Sequence, residues 1–403
     1  MAKVPPYIPP DIFPSAKYCK PWGRLETVAG VLGYTMHSTI LVRDAFQALR
    51  LHVQNAGTTA ITGVKVAVAV STNNTTACIP TGAWTQCSLG GNTSITLPAA
   101  INAYRVVDVA LDPVNMASVD RSDGSYYLVH VRMYVPASGN TVAGRVPAAD
   151  DLLSGSTIDI AAIQGGAAAG DYVTTNQAAF PRTIKTLAAP IWLECFTGNP
   201  LSKRPLLANF GDSTSQGLGW ASTHGQIGAA TLVTTQMGIA HFNQGFASAP
   251  ADDYMYNAEL YMQTIRPQIA ICAPWSTNDS DAYTSGVSEK VVGRASRFVE
   301  MCQRYGAIPI LSDPHPKNGI TSGQETVRRG VVTDLAAWAS ARNIALLSRD
   351  AVYTDYTVAT GGYKAGYTDD GIHPNSTSYP IEAAALKPLV SAALTKRAAV
   401  FTP

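Results

Sequence analysis

The chain has 403 residues, 46% of them hydrophobic and 14% charged, which is enough for two cores and far too apolar for a disordered polymer. With 29 basic against 28 acidic residues the formal net charge is +1, which excludes the electrostatic footprint of a nucleic-acid or anionic-membrane binder. Neutral polar partners suit a surface rich in Ser, Thr, Asn and Gly.

The opening, MAKVPPYIPPDIFPSAKYCK, carries five prolines and no apolar run. It reads as neither a secretory signal nor a transmembrane anchor. Synthesis in a cytoplasm is the expectation, with a virion-associated or extracellular destination reached by a non-classical route. Residues 1–36 read as an extended Pro-rich arm of the kind that holds a homo-oligomer together. Six cysteines (Cys19, Cys78, Cys87, Cys195, Cys272, Cys302) lack the CxxC pairs and Cys/His clusters of zinc or redox sites, so no metal is expected. Cys78 and Cys87 flank IPTGAWTQ and are spaced to staple a loop, although unpaired thiols are the expected state in a cytoplasm.

From His37 the pattern changes to short β-branched runs of period two: TILVRDAFQALRLHVQN, GVKVAVAVSTN, SITLPAA, YRVVDVALDP and SYYLVHVRMYVPA. Residues 37–200 are expected to form an all-β sandwich or jelly roll that binds glycan or anchors the protein. Within residues 139–203 the weaker STIDIAAI, the run GGAAAGD and the segment IWLECF are either the last strands of that sandwich or a linker. After Arg204 short strands (PLLANF, IAHFNQ, QIAICAPW, IPILS, IALLS) alternate with helix-length stretches (ASTHGQIGAATLVTTQM, SEKVVGRASRFVEMCQRYG, SGQETVRRGVVTDLAAWASARN). That alternation predicts an α/β three-layer domain with a parallel sheet over 204–403. Ser288 with Glu289 marks the start of one helix, and Gly306 its end.

Four segments carry chemistry. Gly211-Asp212-Ser213 follows the strand PLLANF, which places a serine at the carboxyl end of a sheet strand, where open α/β folds bind ligands. Alone, such a turn usually caps a helix. Near the far end, Asp369-Asp370-Gly371-Ile372-His373-Pro374-Asn375 puts Asp370 and His373 three apart in one loop before the last helix. A serine hydroxyl needs a base to remove its proton, an imidazole suits that task, and a carboxylate on the other ring nitrogen fixes the tautomer. Acyl transfer also needs donors aimed at the oxyanion. Asn243-Gln244-Gly245 and Ser276-Thr277-Asn278-Asp279 follow successive strands on the same sheet edge and offer a glycine N–H and a neutral side-chain amide. Their bland readings are a turn and a helix cap.

These blocks, GDS at Ser213, Gly245, Asn278-Asp279 and Asp370-x-x-His373, resemble in order and spacing the four motif blocks of the SGNH (GDSL-type) hydrolases. The resemblance covers about residues 204–403 and implies a flavodoxin-like three-layer fold and metal-free, cofactor-free hydrolysis of esters or N-acetyl groups. It implies Ser213 as nucleophile, His373 as base, Asp370 rather than Asp369 as orienter, and an oxyanion hole from the Ser213 and Gly245 N–H groups and the Asn278 amide. Ser276 stands where the family usually has glycine, and Thr214 where the GDSL name has leucine.

Trp220, Tyr254, Trp275 and Tyr367 lie near the motif loops and are candidates for a sugar-stacking platform, with core packing as the alternative. His224, His241 and His315 have no partners at metal-ligand spacing, and His315, in Asp313-Pro314-His315-Pro316, is expected to line the pocket wall without chemistry. Asp212 reads as a loop-fixing carboxylate. The expected activity is serine ester hydrolysis, first of O-acetylated carbohydrate and second of lipid esters or thioesters. A phage-tail-type structural or glycan-binding component with an SGNH-like domain is the reading from a different class.

Overall fold

The computed structural model describes residues 13–18, 25–27, 33–42, 46–55, 57–71, 83–102, 104–119, 127–136, 142–145, 162–175, 187–188, 191–197, 205–218 and 227–401. Cys19, Cys78, Trp220 and His224 lie outside them, as does most of the expected arm. The chain divides into two units, Met1–Arg204 and Pro205–Pro403.

The β-branched runs of the first unit become strands β1 (Phe13–Tyr18), β2 (Leu25–Thr27), β3 (Tyr34–Val42), β4 (Phe46–Asn55), β5 (Ile61–Ser71), β6 (Thr85–Gln86), β7 (Ile95–Leu97), β8 (Val107–Ala110), β9 (Val114–Val119), β10 (Tyr127–Val135), β11 (Val142–Arg145), β12 (Ala162–Ala169), β13 (Leu187–Ala188) and β14 (Ile191–Thr197). They pair antiparallel in two larger sheets, β1-β14-β4-β8 with β9 also on β4, and β12-β3-β10-β5-β6 with β7 also on β5; β13-β11-β2 form a third. Residues 13–18, inside the expected arm, are a strand paired to β14. The Ala/Gly run around GGAAA is likewise a strand, paired with β3 from Ala162 opposite Ile40 to Ala169 opposite Tyr34; its backbone finds a partner ladder despite weak intrinsic β preference.

Simple alternation also fails in β4, where every residue from Ala48 to Asn55 is buried, polar ones included. His52 stacks on Trp192 with ring centroids 3.6 Å apart. Its Nδ1 lies 2.7 Å from Asp108 and its Nε2 3.1 Å from Glu194. Carboxylates at both ring nitrogens call for two ring protons, and although burial opposes the charge, Asp108 and Glu194 raise the imidazole above its usual range. Cys87 is an unpaired buried thiol that burial pushes up to about 12.

The second unit alternates strand and helix: β15 (Leu206–Gly211), α1 (Ser213–Gln216), α2 (Ala229–Met237), β16 (Ala240–Gly245), α3 (Ala251–Ile265), β17 (Ile269–Cys272), α4 (Val287–Tyr305), β18 (Ile308–Ser312), α5 (Ser322–Ala341), β19 (Ala345–Leu347), α6 (Arg349–Tyr353) and α7 (Tyr379–Phe401). The five strands are parallel in the order β16-β15-β17-β18-β19. This is the flavodoxin-like order, whose direction reverses beside the first strand and opens a crevice at its carboxyl end. Strand residues alternate between two covered faces. Leu207, Ile269, Ile271, Ile310 and Leu347 pack with Val233 of α2 and with Tyr379, Leu386 and Val390 of α7. Phe210 and Phe242 meet Phe298 of α4 and Tyr261 of α3. Each such side chain contributes about 1.5–3 kcal/mol on burial. Gly306 ends α4 with φ 74°, as its position predicts, but the N-cap is Gly286 rather than Ser288, which sits inside the first turn. No described helix is long and apolar enough to cross a membrane.

Candidate active site

Ser213 stands where β15 ends and α1 begins. The Asp212 side chain accepts from the Thr214 amide at 3.0 Å and closes that turn. The Ser213 Oγ is 2.8 Å from His373 Nε2, and His373 Nδ1 is 2.6 Å from Asp370 Oδ2. Ser213 is 7% exposed. The other Asp370 oxygen accepts the amides of Ile372 and His373, both at 2.8 Å. Burial alone would raise this carboxyl; those amides and the imidazole outweigh it and hold the group down at about 2, so it is ionised at any working pH. Asp369 is elsewhere, accepting from Asn375 at 2.9 Å.

Asn278 reaches the same loop cluster. Its amide Nδ2 makes only a long bond, 3.4 Å, to the Ala249 carbonyl. Ser276, in the position where glycine is usual, is fully buried and knits the loops: its Oγ shares one hydrogen between Asp212 at 2.7 Å and the Ala249 carbonyl at 3.2 Å, and accepts from the Asn278 backbone N–H at 3.1 Å. Asp279 accepts from Arg294 at 2.7 Å and from the Ala251 amide at 2.8 Å.

Gly245 does not meet its expectation as an oxyanion donor. Its N–H is spent on the Asn243 Oδ1 at 2.9 Å. The reason for glycine here is packing: a Cβ would lie 2.1 Å from the backbone nitrogen of Gln216, so α1 closes on β16 only over a bare backbone. Three residues on, Ser248 is exposed with φ 63°, a left-handed conformation that costs a non-glycine residue about 1–2 kcal/mol. Among the described residues nothing accepts its N–H, and it adjoins Ala249, whose carbonyl touches Ser276 and Asn278. No sequence signal marks a serine for positive φ.

The aromatic platform is largely dismantled. Tyr254 and Trp275 are 0% and 2% exposed; Tyr254 Oη shares its one proton between the Ala273 and Trp275 carbonyls, and the Trp275 indole N–H donates to the Ala282 carbonyl at 3.2 Å. Both are core residues and no sugar can reach them. Tyr367 is half-buried at the edge of the Asp370 loop. His241 is half-buried beside Asn209. His315 is buried and bonded to Thr214 rather than lining a wall. No group of three or more His, Cys, Asp or Glu among the described residues is arranged to hold a metal ion.

No protein-family model and no curated protein matches the chain. Among solved structures it is similar to a protein assigned to the lipolytic G-D-S-L family from Desulfitobacterium hafniense, at 19% identity over 46% of this chain and 98% of the other, with a TM-score of 0.38. An acetyl xylan esterase is similar at 16% identity over 46% and 99%, TM-score 0.38. The lipase/acylhydrolase from Enterococcus faecalis is similar at 17% identity over 46% and 95%, TM-score 0.36. Each of these three likenesses covers 46% of this chain.

Proposed function

We propose that the second unit is a serine ester hydrolase that works through an acyl-enzyme on Ser213. The observation that carries this reading is the unbroken chain from Ser213 Oγ through both nitrogens of His373 to Asp370, at 2.8 and 2.6 Å. Ionised Asp370 accepts a hydrogen bond from the Nδ1–H, which fixes the tautomer and leaves Nε2 free to take the serine proton. Attack on an ester carbonyl builds a tetrahedral oxyanion, and His373 then protonates the leaving alcohol; water, deprotonated by His373, releases the acid and restores Ser213. The oxyanion donors are the Ser213 N–H, the Asn278 amide and, in place of Gly245, the N–H of Ser248. Each is worth about 3 kcal/mol of barrier.

The proposed substrate is an O-acetylated carbohydrate, on the strength of the weakly charged, neutral polar surface and the β-rich first unit, which would bind glycan or anchor the protein. The test is hydrolysis of p-nitrophenyl acetate against longer acyl chains, then acetate release from acetylated polysaccharides, with Ser213→Ala beside wild type. Short-chain activity lost in the variant supports the reading. Equal rates in the two proteins remove Ser213 from the chemistry, and preference for long chains removes the acetyl assignment.

A further inference from the structure

His315, on the segment between β18 and α5, is 3% exposed, and the two ends of its ring lead to the neighbours of the proposed nucleophile and base. Nε2 is 3.0 Å from the Oγ1 of Thr214, the residue after Ser213. Nδ1 is 2.8 Å from the Pro316 carbonyl oxygen and 3.0 Å from Tyr363 Oη. Tyr363 Oη in turn is 2.8 Å from the carbonyl of Ile372, the residue before His373.

Donor counting orders these contacts. A carbonyl cannot donate, so Nδ1 carries a hydrogen, shared between Pro316 and the tyrosine oxygen. The single Tyr363 proton goes to Ile372. Nε2 is left as an acceptor, and the Thr214 hydroxyl donates to it. The chain Thr214 to His315 to Tyr363 to Ile372 therefore runs in one direction, and only with a neutral imidazole. Burial, the dominant influence, lowers His315 to about 4 and keeps it neutral. The segment is itself pinned: Arg328 donates to the Pro314 carbonyl at 2.9 Å, and the Asn318 amide to the Gly371 carbonyl at 2.8 Å. Trp275 packs edge-on against the ring, centroids 6.2 Å apart.

We propose that His315 is a positioning residue that sets the approach of Ser213 to His373 by tying the residue after the one to the residue before the other. The inference rests on the reading of Ser213 and His373 as nucleophile and base. Small errors in that approach are expensive, since a misplacement of about 1 Å can cost roughly 100-fold in rate.

The test uses Thr214→Val and Tyr363→Phe, which each delete one hydroxyl and keep the shape, in the full chain with p-nitrophenyl acetate. The expected result is a kcat lowered about 10- to 100-fold with KM within about twofold, and a double variant no more than about threefold worse than the poorer single, because a chain cut once is already cut. Thr214→Ser returns the hydroxyl and rescues kcat. Single variants with wild-type kcat, losses that multiply in the double, or a rise in KM that accounts for the whole effect would each overturn the proposal. Absence of Ser213-dependent hydrolysis in wild type would overturn the functional reading and this inference together. An active wild type with an equally active Thr214→Val would overturn the inference alone.

Discussion

Replacing His315 by Gln or Asp313 by Asn should tilt the acid stability of the second unit in opposite directions. An exposed imidazole titrates at 6.5, and His315 in the fold at about 4, because burial penalises its charge. Between those values the unfolded chain binds a proton that the fold refuses, so acidification costs stability, about 3 kcal/mol in all. Asp313 is the reverse case. Burial is again the largest cause, and it raises the carboxyl from 3.8 to about 6 against the bonds from Ser348 and the Asp350 amide. Between 6 and 3.8 the fold binds the proton first, and acidification adds about 3 kcal/mol. The two contributions oppose each other in wild type. His315→Gln leaves the gain uncovered, so its stability relative to wild type should climb by about 3 kcal/mol from pH 6.5 to 4; Asp313→Asn should fall by a similar amount. Hydrogen exchange of amides in β15, β17 and β18, corrected for intrinsic rates at the two pH values, reports this unit alone. A stability difference from wild type that is the same at both pH values, in either variant, refutes the reasoning.

Asp370→Asn should lower kcat about 10⁴-fold with little change in KM, as loss of the carboxylate that fixes the tautomer does in serine triads; steady-state kinetics on p-nitrophenyl acetate check it. Gly245→Ala and Ser248→Val should fail differently. The first, with its Cβ 2.1 Å from Gln216 N, should chiefly lower the melting temperature; the second, unable to hold φ 63°, should chiefly lower kcat, roughly 100-fold. In the first unit, His52 is held protonated against burial by Asp108 and Glu194, so its contribution is complete below pH 6.5 and lost as pH rises through its elevated folded value. Hydrogen exchange in β4 should therefore quicken towards alkaline pH in wild type and lose that dependence in His52→Gln.

The proposed triad was legible because its information is local. Asp370 and His373 share one loop, Ser213 ends a strand, and a parallel α/β order brings strand ends to one edge whatever the intervening helices contain. Helix α3 was missed although Ala251, Tyr254, Met255, Ala258, Tyr261, Met262 and Ile265 repeat at helical spacing behind Asp252 and Asp253. Tyr254 of that stripe reads from the sequence as a platform candidate with core packing as the alternative, and the structure buries it. Gly245 was legible as a necessity but not as to its reason, since a close approach of α1 and a free N–H demand the same residue. The strand at Ala162–Ala169 lacks bulky side chains, so its pattern carries no period; pairing with β3 decides it. His315 and Tyr363 lie 48 residues apart, and the histidine meets Thr214 101 residues away, so no local pattern announces their chain.

The most direct measurement of the central claim is labelling of the full chain with a fluorophosphonate, followed by mass-spectrometric mapping. The account predicts one adduct per chain, on Ser213, lost in Ser213→Ala and slowed at least about 100-fold in His373→Ala. An adduct on another residue, or an intact chain that hydrolyses p-nitrophenyl acetate while Ser213 stays unmodified, would contradict it.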